Sequence, residues 1–211
     1  MSESAPRWIR VVFSVGPLDP WSLLTPLRDD GERLMAWASP QQAMSFVAVG
    51  AVVEHRPSGE ERFAESATWW GPIARSMASQ TPDGTVVHNP APACLAGFAF
   101  QADHMRSDDW QPWGDAALCV PEVLIWTHEE HTSVVFTIDT ATHDLAEKTH
   151  ELRTKLNGWL ARASPPDVEP ATPAPIAQPH SDLDWTQWRD RVQSAQRRMA
   201  DGTLTKVVLA R

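Results

Sequence analysis

A proline-rich stretch in the last quarter of the sequence sets the organisation of the whole chain. Six prolines fall within the sixteen residues from Ser164 to Pro179. Because proline fixes φ and has no backbone N–H, such a stretch favours an extended, exposed connector over packed structure. The sequence therefore predicts three regions: a strand-rich region with a long helix over 1–163, a linker over 164–180, and a further helix and strand over 181–211.

Upstream of the linker, short apolar runs end repeatedly at turn residues. Residues 7–15 are β-rich and stop at a Gly-Pro pair. The other predicted strands are 34–38 and 45–53, which form a hairpin, followed by 94–100, 116–126 and 133–138. Because Pro121 cannot donate to a sheet ladder, the run 116–126 is predicted to be an edge strand or to carry a bulge at that residue.

Three segments are predicted to be helical. The first covers 61–70 and should be interrupted by Gly71-Pro72. The second runs over about 142–161, where leucines recur on one face at helical spacing. The third lies between the linker and Asp201-Gly202, and its N-cap candidates are Ser181, Asp182 and Asp184.

Composition and charge narrow the class of protein. The 211 residues are 42% hydrophobic and 21% charged, which is enough apolar material for a buried core. The net charge is −9 and the basic residues are scattered, which argues against nucleic acid and anionic membranes as partners. Two cysteines make no disulfide framework, and the N terminus lacks a secretory signal, so we expect a soluble cytoplasmic protein.

The segment His128-Glu129-Glu130-His131 contains histidines and glutamates, which are residue types found in zinc sites. A zinc-protease motif needs two histidines four residues apart on a helix, so that one face presents both ligands. Here the histidines are three residues apart between two predicted strands. We therefore predict an exposed turn and assign no metal ligand.

Lys206 is the ionisable residue best suited to a catalytic role. It lies at the start of a predicted buried strand over 206–211. Side chains alternate along a strand, so Lys206 would share its face with Val208 and Ala210. An ammonium among apolar groups is poorly solvated, which favours the neutral amine that can take a proton from water. The alternative is a lysine at a strand entrance whose ammonium reaches solvent.

A sequence that stops inside a buried strand leaves backbone groups and apolar side chains without neighbours. We therefore expect further polypeptide to follow residue 211.

The segment from Trp185 to Arg211, which ends in KVVLAR, resembles the core signature of chorismate-utilising enzymes. That group includes isochorismate, salicylate, anthranilate and aminodeoxychorismate synthases. Lysine at the position of Lys206 is similar to the water-activating isochorismate and salicylate synthases, whereas the amine-transferring anthranilate branch typically carries glutamine. The resemblance implies that Lys206 is the general base that activates water for attack at C2 of chorismate, with loss of the C4 hydroxyl.

A second stretch carries the same resemblance. Residues 95–100, LAGFAF, resemble the GGFAF strand of isochorismate synthases, with Ala96 for the first glycine and Gln101 for a frequent acidic residue. A W…F…PE pattern of the same group is matched by Trp110, Trp113 and Pro121-Glu122.

The resemblance implies an α+β fold with largely antiparallel sheets packed with helices, incomplete in this chain. It also implies a Mg²⁺-dependent reaction that feeds menaquinone or siderophore synthesis. The general acid, the Mg²⁺ ligands and most substrate-binding residues would lie in the half that follows residue 211, so the chain alone is expected to be inactive. Two alternatives stay open: a salicylate synthase, which also eliminates pyruvate, and a non-catalytic remnant that binds a partner. The oligomeric state is not indicated.

Overall fold

A computed structural model describes residues 6–88, 91–102, 111–164 and 183–208. These residues fall into two units, 6–164 and 183–208, and each unit is described by itself. The first unit combines helices with largely antiparallel sheets, and the predicted α+β class is confirmed.

The elements below are those of the described residues. The strands are β1 (Trp8–Val15), β2 (Leu34–Ser39), β3 (Met44–Val49), β4 (Val53–His55), β5 (Met77–Gln80), β6 (Leu95–Phe98), β7 (Ala116–Val120), β8 (Val123–His128) and β9 (His131–Asp139). The α-helices are α1 (Leu24–Asp29), α2 (Arg62–Arg75), α3 (Leu145–Arg162) and α4 (Trp185–Ala200). Short 3₁₀ turns cover Pro20–Leu23, Pro40–Gln42 and Gln111–Trp113.

The strands of the first unit form two sheets. The larger has the order β2-β3-β8-β9-β1-β5, and the smaller has the order β4-β7-β6. All pairs are antiparallel except β1 with β5. The predicted hairpin of β2 with β3 is confirmed, and so is the turn at His128–His131, which joins β8 to β9.

The run 116–126 is the main departure from the predicted strands. It does not form one edge strand; it divides at Pro121-Glu122 into β7, the centre of the small sheet, and β8, an inner strand of the large sheet. Proline has no N–H to continue a ladder, so the chain leaves one sheet at this residue and enters the other.

Both faces of the large sheet are buried. Along β9, Val134 and Phe136 pack with α3 on one face, while Val135 packs on the opposite face. The second face carries Leu124 and meets Leu95 of the small sheet. Because alternate side chains enter different cores, these strands appear in the sequence as continuous apolar runs.

Helix α2 extends beyond its predicted end. The Gly71-Pro72 pair does not interrupt it, and the helix continues to Arg75. Pro72 lies one turn from the end of the helix, and its missing N–H removes a single hydrogen bond. The Ser76 N–H then closes the last turn on the Pro72 carbonyl at 3.1 Å.

The predicted long amphipathic helix is confirmed as α3. It begins at Leu145 and ends at Arg162, whereas the sequence pattern predicts about 142–161. The Asp144 side chain accepts a hydrogen bond from the Glu147 N–H at 2.9 Å and so caps the N terminus. Near the C terminus, the Trp159 indole donates to Asp30 at 3.1 Å, and Arg162 forms an ion pair with the same carboxylate. These contacts tie α3 to the end of α1.

A buried carboxylate fixes one end of the β1–β9 ladder. Asp139 accepts hydrogen bonds from the Arg7 guanidinium at 2.7 Å and from the Ala141 N–H at 3.0 Å. The side-chain hydrogen bond from Arg7 is the largest influence on this carboxyl, and together with the Ala141 N–H it outweighs desolvation and lowers the pKa of Asp139. A lowered folded-state pKa means that ionisation of Asp139 stabilises the fold.

We predict that Asp139→Asn lowers the free energy of unfolding at pH 7, because it removes the ionised acceptor. The stabilisation by Asp139 is present above its unfolded pKa of about 3.9 and is lost as the pH falls through the lower folded pKa. The difference between wild type and Asp139→Asn should therefore shrink below about pH 4 in urea unfolding followed by circular dichroism. An unchanged difference down to pH 2 would contradict this assignment. The exposed Glu60→Gln is the control.

Candidate functional site

The second unit consists of α4 and the segment that follows it. Of the three predicted N-caps, the structure uses Asp184: its carboxylate accepts from the Gln187 N–H at 2.8 Å, and the Gln187 side chain accepts from the Asp184 N–H at 3.0 Å. Ser181 and Asp182 lie outside the described residues. Gly202 follows the helix at a φ of 76°, and its N–H donates to the Met199 carbonyl, as expected for a helix-ending glycine.

Lys206 lies beyond this turn, in a segment without helix or strand. Its side chain is exposed, and Val208 is 79% exposed. The predicted buried strand is therefore wrong over residues 206–208, and residues 209–211 lie outside the described ones. A strand needs the backbone of a neighbour, and no strand of the described residues pairs with this segment. The role of Lys206 as a general base stays a prediction.

Glu122, of the PE pair in the sequence resemblance, lies where the chain crosses between the sheets. Its carboxylate is 3.0 Å from the ammonium of Lys148 on α3, and its carbonyl accepts from the Thr137 N–H of β9. Gly50 adopts a φ of +62°, and a Cβ built there would lie 3.5 Å from the Cβ of Glu122. The structure thus gives this glutamate an ion pair and a packing contact.

Lys148 of α3 pairs with a second carboxylate besides that of Glu122. It lies 3.0 Å from Glu151, one turn further along the helix. Desolvation lowers the pKa of Lys148, but hydrogen bonds to Glu122 and Glu151 outweigh it, and the net pKa is raised. The cation is therefore held between two carboxylates at neutral pH.

The LAGFAF strand is anchored by a buried arginine that sequence reasoning missed. Arg62, at the start of α2, is 4% exposed and donates to the carbonyls of Gly59 at 3.1 Å and Ala99 at 3.2 Å. Asp115 accepts from the Gly59 N–H at 2.8 Å, which fixes the same corner. No signal in the sequence distinguishes this arginine from exposed ones, because its burial depends on the strand that packs over it.

A second buried arginine has a similar role. Arg10 of β1 is 4% exposed and donates to the carbonyls of Ala91 and Pro92 at 3.1 and 2.9 Å. Burial lowers the pKa of Arg10 to about 10, so the group remains a cation at neutral pH. The guanidinium holds the loop before β6 against the large sheet.

A cavity of about 270 Å³ opens between the sheets near β2 and β7. Arg33 and Glu54 form an ion pair at its edge. The walls are mostly apolar and are formed by Leu34, Met35, Ala48, Gly50, Trp113, Ala117, Leu118 and Cys119, with Arg56 as a further charged group. Burial raises the pKa of the Cys119 thiol, so this sulfur stays protonated and is a poor nucleophile.

Among the described residues, no group of three or more His, Cys, Asp or Glu side chains is placed to hold a metal ion. The described helices include none long and apolar enough to cross a membrane.

Comparison with known proteins places this fold in a family. Residues 1–211 match the family described as "Chorismate binding enzyme". The chain belongs to the chorismate-binding enzyme family. It is also similar to the "Salicylate biosynthesis isochorismate synthase" of Pseudomonas aeruginosa, with 26% identity over 212 residues. That match includes 98% of this chain but only 41% of the relative, so the chain spans well under half of the length of the curated protein that it matches.

The structure shows the scaffold of the first unit in detail, whereas the catalytic role of Lys206 stays a prediction. The family predicted from KVVLAR and LAGFAF is confirmed by the match over residues 1–211. The structure brings LAGFAF and Pro121-Glu122 into the first unit, whereas Lys206 belongs to the second. Trp110 lies outside the described residues, and Trp113 lines the cavity between the sheets.

We predict that Glu122→Gln destabilises the first unit by about 1 kcal/mol, because it removes the charge opposite a Lys148 ammonium that is 14% exposed. Chemical unfolding at pH 7 measures this difference. The matched control is Glu130→Gln, at the exposed turn between β8 and β9. Equal stability of the two variants would show that the ion pair at the crossing contributes nothing.

Proposed function

We propose that this chain is the N-terminal portion of an isochorismate synthase, which converts chorismate to isochorismate. The observation that carries the proposal is the whole-chain family match together with lysine, rather than glutamine, at position 206. The 26% identity to an isochorismate synthase of Pseudomonas aeruginosa supports the same activity. We place the enzyme in the cytoplasm and its product in menaquinone or siderophore synthesis.

Lys206 would act as the general base. Its neutral amine takes a proton from water while the water oxygen bonds to C2 of chorismate. The double bond shifts and the C4 hydroxyl departs, so that one water adds and one leaves once a general acid protonates the departing oxygen. The net reaction is therefore an isomerisation.

Two further components of this reaction are assigned to no residue of this chain. The general acid and the Mg²⁺ ligands belong, in our proposal, to polypeptide beyond the region described. Mg²⁺ would supply electrostatic stabilisation of the substrate carboxylates. The described residues offer no group of three or more His, Cys, Asp or Glu side chains for this ion.

We predict that Lys206→Ala and Lys206→Gln, in a complete enzyme carrying this chain, reduce kcat by about 10²- to 10⁴-fold, the usual contribution of a general base. Isochorismate formation is measured by chromatography, and circular dichroism checks that the fold is retained. Lys155→Ala, an exposed lysine of α3, is the control. Turnover of Lys206→Ala within a few-fold of wild type would exclude Lys206 as the base. Pyruvate release by the wild-type enzyme would indicate a salicylate synthase instead.

We further predict that the purified 211-residue chain alone shows no conversion of chorismate with Mg²⁺ present. We expect this result because the proposal places the general acid outside these 211 residues. Measurable turnover that disappears in Lys206→Ala would show that the 211 residues contain a complete site.

A further inference from the structure

We draw no further inference here: the strongest candidate, the cavity of about 270 Å³ between the two sheets near β2 and β7, has mostly apolar walls and an edge where Arg33 and Glu54 already pair with each other, and nothing in the described residues shows which molecule would occupy it.

Discussion

The first unit depends on the point at which one apolar run leaves the small sheet and enters the large one. Pro121 ends the β7 ladder because it has no N–H, and Glu122 begins the path into β8. The Glu122 carbonyl is bonded to β9, its carboxylate to Lys148 of α3, and its side chain lies against Gly50. Two sheets and a helix are thereby fixed relative to one another at a two-residue crossing.

Two buried arginines also hold parts of the first unit in place. Arg10 and Arg62 place their guanidinium groups on backbone carbonyls of the loops that flank β6. Each guanidinium donates from its terminal nitrogens to carbonyls, which carry only a partial charge, so neither contact is an ion pair. The buried Nε of each arginine has no hydrogen-bond partner among the described residues. The contacts with the carbonyls hold the strand in the LAGFAF segment at a defined position, with its outer edge and aromatic side chains facing away from the core.

The two units contribute differently to a chorismate-binding enzyme. The first is a scaffold in which charged groups such as Asp139 and Lys148 form ion pairs. The second carries Lys206, and its proposed role as a general base requires an apolar surrounding that favours the neutral amine. The described residues of that unit leave Lys206 exposed, so they do not themselves supply that surrounding.

The sequence by itself determined the elements whose signals are local. Turn residues and alternating apolar runs located β1, the hairpin of β2 with β3, and β9. The helical spacing of leucines located α3, and Asp184 was one of three N-cap candidates for α4. The motifs KVVLAR and LAGFAF also identified the family, because each is a short continuous stretch of sequence that can be recognised without the fold. Tertiary structure decided the rest: the division of 116–126 between two sheets, the burial of Arg10 and Arg62, and the pairing of Glu122 with Lys148. Each of these depends on residues distant in the chain, and local spacing does not encode which strand or helix will supply the partner.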